Sequence, residues 1–332
     1  MSGRIAISGF GRIGRGVLRA LIEQSSDLEL VAVNDLTDGA VLAQLYNFDS
    51  VYGRPAERMS VDGDELIVGE RRIKTLAERD PAKLPWGELG VDVVLEATGR
   101  FTKAKDARAH LDAGARRVLV SAPSSGSDVT LVRGVNEEAY VPSRDFVISN
   151  ASCTTNALAP LAQVLHQLAE IEQGFMMTVH AYTQDQNLVD GPHADARRAR
   201  AAALNIVPAS TGAARAIGKV LPELDGRLSG DSIRVPVPVG SIVELTANVG
   251  RDVTVDEIKN AYREAAEGRL RGILEYSEDP LVSTDIVGNP ASSIFDSGLV
   301  RVDGRHVKVS SWYDNEWGFS NRVAETLARL AE

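Results

Sequence analysis

Residues 4–14 read RIAISGFGRIG. Residues 4–8 are a short, largely apolar run ending at Gly9, and 13–22 carry apolar residues at helical spacing, so the stretch predicts strand, tight turn, helix. Gly9, Gly11 and Gly14 space that turn as G-x-G-x-x-G. In this context the first glycine permits the turn, the second lets backbone approach a pyrophosphate, and the third lets the helix pack closely. The helix N-terminal amides then hold the anion. Alone the triplet is a weak signal. It gains force from the next strand-like run, LELVAVND (28–35), whose Asp35 falls about 20 residues on, placed to accept hydrogen bonds from an adenosine ribose. An Asp after a strand is more often a turn or cap residue, but the register with the glycines reverses that expectation. A carboxylate there repels a 2′-phosphate, so NAD is expected rather than NADP. Arg12 lies inside the turn, either near phosphate or as an idle surface arginine.

Outward from this motif, VDVVLEA (91–97), RRVLVSA (116–122) and DFVISN (145–150) are further short β-rich runs, with helical text such as KAKDARAHLDAG (103–114) between some of them. Strands buried on both faces and alternating with helices predict a Rossmann-type, doubly wound parallel sheet. After about residue 150 the passages 174–183, 232–249 and 292–312 are longer and strand-rich, so a second, α+β domain follows. Thr254 and Glu257 form a capping box for a helix running to about Glu267. The polar, basic stretch 184–205 reads as a long ordered loop of the kind that is more often functional than idle. A chain of 332 residues is long enough for two cores.

The net charge of -10 disfavours nonspecific nucleic-acid or anionic-membrane binding, which needs basic patches. Any anionic substrate must therefore be held locally. No apolar run approaches the roughly 18 residues of a membrane span, and the first residues lack a signal-peptide layout. A single cysteine, Cys153, excludes an intrachain disulfide and any multi-cysteine metal site, which fits a reducing, cytoplasmic compartment.

SNASCTTN (149–156) places Cys153 after a strand and at the start of an apolar helix (Leu158, Leu161, Val164, Leu165, Leu168). Most free cysteines are small buried hydrophobes. Here Ser152, Thr154, Thr155 and Asn156 surround the thiol with polar groups, and a helix N-terminus favours thiolate. Of five histidines, His180 ends an apolar run and should emerge at a strand tip, whereas His110, His166, His193 and His306 read as exposed. Cys153 and His180 fit an activated nucleophile–base pair.

Together GFGRIGR (9–15), SNASCTTN (149–156), HAYTQDQ (180–186), RRARAAA (197–203), STGAA (210–214) and SWYDNEWGFSNR (311–322) resemble the phosphorylating glyceraldehyde-3-phosphate dehydrogenases, from about residue 3 to residue 330. The resemblance implies a homotetramer whose subunit has an NAD-binding domain (1–150, completed by the C-terminal helix 316–332) and a catalytic domain (151–315) built on a largely antiparallel sheet. It implies NAD contacts at Arg12, Ile13, Asp35, Arg79, Ser121 and Asn315 besides the glycines. The substrate phosphate of glyceraldehyde 3-phosphate falls to Thr183 and Arg234, and inorganic phosphate to Ser152, Thr154, Thr211, Gly212 and Arg198. No metal, nucleic acid or membrane enters.

Ser8 replaces the usual Asn, Val239-Gly240 stands where Asn-Val is common, and Ala157 replaces a second cysteine one turn after the nucleophile. Peroxide is therefore expected to take Cys153 to a sulfenic acid or beyond; a mass loss of two hydrogens without added oxygen would refute this. Leu36 and Gly191-Pro192 match NAD-using members. Erythrose-4-phosphate dehydrogenase is the nearest alternative, although Tyr182-Thr183 and STGAA look more like the triose enzyme. From other classes, a Cys–His acyl hydrolase or a catalytically silent NAD-binding regulator would share parts of the pattern.

Overall fold

The computed structural model describes residues 3–332. The chain forms two compact units. The first comprises residues up to Leu131, Glu138–Ala151 and Ser320–Glu332; the second comprises Val132–Glu137 and Ser152–Phe319.

In the first unit the strands are β1 (Arg4–Ser8), β2 (Glu29–Asn34), β3 (Met59–Asp62), β4 (Glu65–Val68), β5 (Arg71–Leu76), β6 (Val93–Glu96), β7 (Arg117–Val120), β8 (Val129–Thr130) and β9 (Val147–Ser149). They make one sheet in the order β3-β4-β5-β2-β1-β6-β7-β9-β8. From β5 to β8 all neighbours are parallel, and only the β3–β4–β5 edge is antiparallel. Helices α1 (Arg12–Glu23), α2 (Gly39–Asn47), α3 (Ala104–Ala107) and α4 (Ala109–Asp112) connect them. The helical text 103–114 thus forms two short helices broken at Arg108. Buried clusters lie around Trp86, Val31 and Val94, and around Ala107, Val118 and Val147, which is why the strands read as continuous apolar runs. The last helix, α8 (Trp317–Ala331), returns to this unit: Arg117 Nη1 donates to the Leu330 carbonyl at 3.1 Å.

Because β1 has β2 on one side and β6 on the other, the connections leave it in opposite directions. At the carboxyl ends of the strands beside such a switch point, sheets of this kind bind ligands.

The second unit holds α5 (Cys153–Ala169), β10 (Ile171–Ala181), β11 (Val207–Ser210), α6 (Ala213–Val220), β12 (Leu228–Val235), β13 (Ser241–Val249), α7 (Val255–Glu267), β14 (Leu274–Ser277), β15 (Ser293–Asp296), β16 (Arg301–Asp303) and β17 (His306–Tyr313). Its sheet runs β11-β12-β10-β13-β17-β15-β14, with β16 on β17. Pairings are mostly antiparallel; β10–β12 and β14–β15 are parallel. Both halves of the Thr254–Glu257 capping box form, at 3.1 and 2.8 Å. Tyr262 of α7 stacks on Phe295 with ring centroids 3.9 Å apart and donates to the Leu161 carbonyl at 2.5 Å, tying α7 and β15 to α5. The stretch 184–205 is turn-rich and without strand or helix.

Candidate active site

The residues of the first unit expected to meet a dinucleotide follow the carboxyl ends of its strands. Gly9 has φ +94°, which favours glycine. A Cβ on Gly14 would stand 2.3 Å from the Gly9 carbonyl oxygen, so only glycine lets α1 start this close to the turn. Gly11 is the N-cap of α1 and supplies no side-chain cap, and a Cβ there would meet nothing within 4 Å. The space before the first turn is open to an anion, which fits NAD. Asp35 Oδ2 accepts the Phe10 N–H at 2.8 Å and Oδ1 accepts that of Thr37 at 2.9 Å, so the acid after β2 also steadies the glycine turn. Arg12 bonds Asp49 at 2.5 Å, a pairing that sequence reasoning did not foresee. Ile13 is half-buried in the first turn and Arg79 is exposed beyond β5. The Ser121 hydroxyl donates to the Glu96 carbonyl at 3.0 Å.

The reacting groups belong to the second unit. Ser152 caps α5, its Oγ accepting the Thr155 N–H at 3.1 Å, so Cys153 occupies the first helical position. Ala151 just before it has φ +57°, a conformation that costs a non-glycine residue on the order of 1–2 kcal/mol. Such local strain fixes the direction in which the helix, and with it the thiol, departs. Nothing in a single sequence marks Ala151 out.

Cys153 Sγ lies 3.4 Å from His180 Nε2. The Ala181 carbonyl, an acceptor only, sits 2.6 Å from His180 Nδ1, so Nδ1 carries the proton and Nε2 faces the sulfur with its lone pair. Arg234 Nη1 is also 2.9 Å from Nδ1. With Nδ1 protonated, the guanidinium donates instead to the Ala181 carbonyl at 3.1 Å and to Thr183 Oγ1 at 3.3 Å. Burial, and next the Arg234 charge, push His180 down to about 3. Burial pushes the Cys153 thiol up, against the pull of Arg234 and Thr154. Burial thus works against the thiolate that the helix terminus by itself favours.

Tyr313, which sequence reasoning passed over inside its motif, ties the site together: its hydroxyl bonds Thr154 Oγ1 at 2.9 Å and Thr178 Oγ1 at 2.8 Å, and its ring meets His180 edge-on at 5.9 Å. Ser241 was missed as well. Its Oγ accepts the Ala181 N–H at 3.0 Å and donates to Asn315 Oδ1 at 2.9 Å, and the Gly240 N–H reaches the same oxygen at 3.3 Å. Asn315 is thus fixed with its amide nitrogen turned the other way.

The predicted phosphate residues fall into two groups. Thr183 and Arg234 adjoin His180. Arg198 donates to the Ser210 carbonyl at 3.0 Å, next to Thr211 and Gly212 at the start of α6, where the Thr211 hydroxyl accepts the Ala213 N–H at 3.2 Å. Arg198 is also held by the Asp185 carboxylate. The reading of the remaining histidines needs correction. His110 is fully buried, and His166 and His193 are half-buried; only His306 is exposed. The His110 partners Trp86 and Glu96 come from other elements and are invisible in the local sequence.

Gly240 accounts for one departure. Its φ is +94°, and a Cβ would stand 2.2 Å from the Ser283 carbonyl oxygen. Gly240→Ala should destabilise the protein by about 3 kcal/mol, combining backbone strain with overpacking, as read from denaturant unfolding; a change below about 0.5 kcal/mol would refute the clash.

The first unit's fold and the second unit's reactive pair define an NAD-dependent oxidoreductase. Residues 3–104 match the family model described as glyceraldehyde 3-phosphate dehydrogenase, NAD binding domain, and residues 152–315 match its C-terminal domain. The chain is 71% identical over 328 residues to glyceraldehyde-3-phosphate dehydrogenase of Kitasatospora aureofaciens, covering 99% of each chain. It is 58% identical to glyceraldehyde-3-phosphate dehydrogenase 1 of Streptomyces avermitilis, over 98% of this chain and 97% of the relative. With the Mycobacterium tuberculosis enzyme of that name it shares 57% identity, over 100% of this chain and 99% of the relative. The chain belongs to the glyceraldehyde-3-phosphate dehydrogenase family. Among the described residues no helix is long and apolar enough to cross a membrane, and no cluster of potential ligands could hold a metal ion.

Proposed function

We propose that the protein converts D-glyceraldehyde 3-phosphate, NAD and inorganic phosphate into 1,3-bisphosphoglycerate, with Cys153 as nucleophile and His180 as general base. The 3.4 Å approach of Sγ to Nε2 at the N-terminus of α5 carries this reading. Cys153 attacks the aldehyde carbon while Nε2 takes the thiol proton and passes it to the new oxyanion, and the thiohemiacetal hydroxyl so formed returns that proton to the same nitrogen when the aldehyde carbon is oxidised. NAD, when bound, supplies the hydride acceptor. The thioester left on Cys153 is opened by inorganic phosphate, which restores the sulfur. The Cys153 N–H and protonated His180 steady the oxyanion.

Thr183 and Arg234 hold the substrate phosphate; Ser152, Thr154, Thr211, Gly212 and Arg198 hold the attacking one. Gly9, Gly11, Arg12, Ile13, Gly14, Asp35, Arg79, Ser121 and Asn315 bind NAD, with the dinucleotide domain at 1–150 plus 316–332 and the catalytic domain at 151–315. The enzyme works in the cytoplasm as a homotetramer. Leu188, Val189, Leu204 and Ile206 stand 70–83% exposed in one subunit, consistent with a surface that other copies cover.

Steady-state reduction of NAD against NADP, with glyceraldehyde 3-phosphate and varied phosphate, tests the proposal. Turnover should require phosphate and prefer NAD. Faster, phosphate-independent turnover of erythrose 4-phosphate would favour the tetrose alternative, and aldehyde-dependent absorbance of reduced nicotinamide excludes the hydrolase.

A further inference from the structure

Beside the glycine turn, four side chains outside the reacting groups form one chain of hydrogen bonds, buried at one end and half-buried at the other. Trp86 Nε1 donates to His110 Nδ1 at 3.0 Å, and His110 Nε2 lies 3.0 Å from Glu96 Oε2. Glu96 Oε1 accepts the Thr98 N–H at 2.9 Å and also the Thr98 hydroxyl. Thr98 Oγ1 in turn accepts the Arg100 N–H at 3.0 Å. Trp86 and His110 are fully buried, and Glu96 is 2% exposed.

The donors fix the protons. An indole nitrogen can only donate, so His110 Nδ1 must accept, and the imidazole proton therefore sits on Nε2 and points at Glu96. The Glu96 side chain then receives three donors. Its position gives it reach: Glu96 ends β6, next to β1, and the chain just beyond it lies on the glycine turn. A Cβ on Gly9 would stand 2.6 Å from the Ala97 carbonyl carbon and the Thr98 nitrogen, and 2.7 Å from Thr98 Cα. The Ala97 N–H bonds the Ser8 carbonyl at 2.7 Å, and the Ser121 N–H and hydroxyl both reach the Glu96 carbonyl at 3.0 Å.

We propose that Glu96, oriented by His110 and Trp86, is a positioning residue for dinucleotide binding: it clamps Thr98 against Gly9 and so sets the shape of the turn that receives the cofactor. A buried carboxylate satisfied by three donors is a costly device for a bend that a neutral side chain could make. Rigid placement of a binding loop is what such a device provides. The inference rests on the reading of the glycine turn as the NAD site.

Glu96→Gln is the informative change. A glutamine amide has one oxygen and one NH2, and whichever way it turns an NH2 group faces an N–H donor, from His110 or from Thr98. The imidazole cannot change tautomer to accommodate it while Trp86 donates to Nδ1. Trp86→Phe removes that restriction, letting Nε2 accept from the glutamine amide while its oxygen keeps Thr98.

Titration calorimetry with NAD on the cofactor-free protein should show E96Q binding about 10- to 100-fold more weakly than wild type, the scale of losing hydrogen bonds to a charged group. The W86F/E96Q double variant should bind more tightly than E96Q alone. Alkylation of Cys153 by iodoacetamide in the cofactor-free protein should proceed at the wild-type rate in both. Should E96Q fail to fold, Thr98→Val and Thr98→Ser decide: the first should weaken NAD binding about 3- to 10-fold, from loss of the two bonds that the hydroxyl makes to Glu96 and Arg100, and the second should bind as wild type does. Folded E96Q binding NAD within twofold of wild type overturns the proposal, as does a double variant no tighter than E96Q. A wild-type protein that does not bind NAD overturns the dinucleotide reading and this proposal with it; equal binding by wild type and E96Q overturns this proposal alone.

Discussion

Cys153→Ser should lower turnover on the order of 10⁶-fold, the scale seen when a covalent nucleophile is removed, while the affinity for NAD stays unchanged. The two side chains are nearly the same size, and Cys153 is half-buried at the first position of α5, so the fold has little reason to respond. What changes is the atom. A serine hydroxyl is a far weaker nucleophile at neutral pH than a cysteine sulfur, and its alkoxide is a poor leaving group when phosphate must open the ester. Steady-state rates alongside calorimetric NAD binding would check this; a variant keeping more than about one hundredth of wild-type turnover would show that the covalent route is not used.

His180→Asn comes next, with an expected loss of about 10²- to 10⁴-fold, the range for removing a positioned general base. In wild type the Ala181 carbonyl holds the Nδ1 proton and leaves Nε2 free to accept from the sulfur. Asparagine keeps polarity and hydrogen bonding but has no nitrogen that can take a proton at neutral pH. The loss should appear in kcat, with the KM for the aldehyde moving little, because His180 acts on the proton rather than on the bound phosphate. A variant whose KM rises while kcat stays would instead mark His180 as a binding residue and leave the base unassigned. Alkylation of Cys153 should slow as well, since its proton loses its acceptor.

Much of this site is legible one segment at a time. The glycine turn, Asp35 at the end of β2, Ser152 and Cys153 at the start of α5, and the Thr254 capping box are set by residues within a few positions of each other. Local backbone geometry and side-chain size decide them, and both can be read along the chain. Even the position of His180 near the end of β10 follows from the apolar run that it ends.

The sequence alone does not reveal which ends meet. His180 faces Arg234 because β10 and β12 pair in parallel with those two residues in register, and strand register is fixed by the whole sheet rather than by either strand. Tyr313 reaches Thr154 across 159 positions of the chain, and Gly240 is required because the Ser283 carbonyl arrives from another segment. His110 looked like a surface residue on a short helix until Trp86, 24 positions away, and Glu96 enclosed it. The linear pattern determined the kinds of element, their ends and the chemistry each end carries. Tertiary packing decided their partners, because burial and hydrogen-bond satisfaction are settled by the assembled fold rather than by neighbours along the backbone.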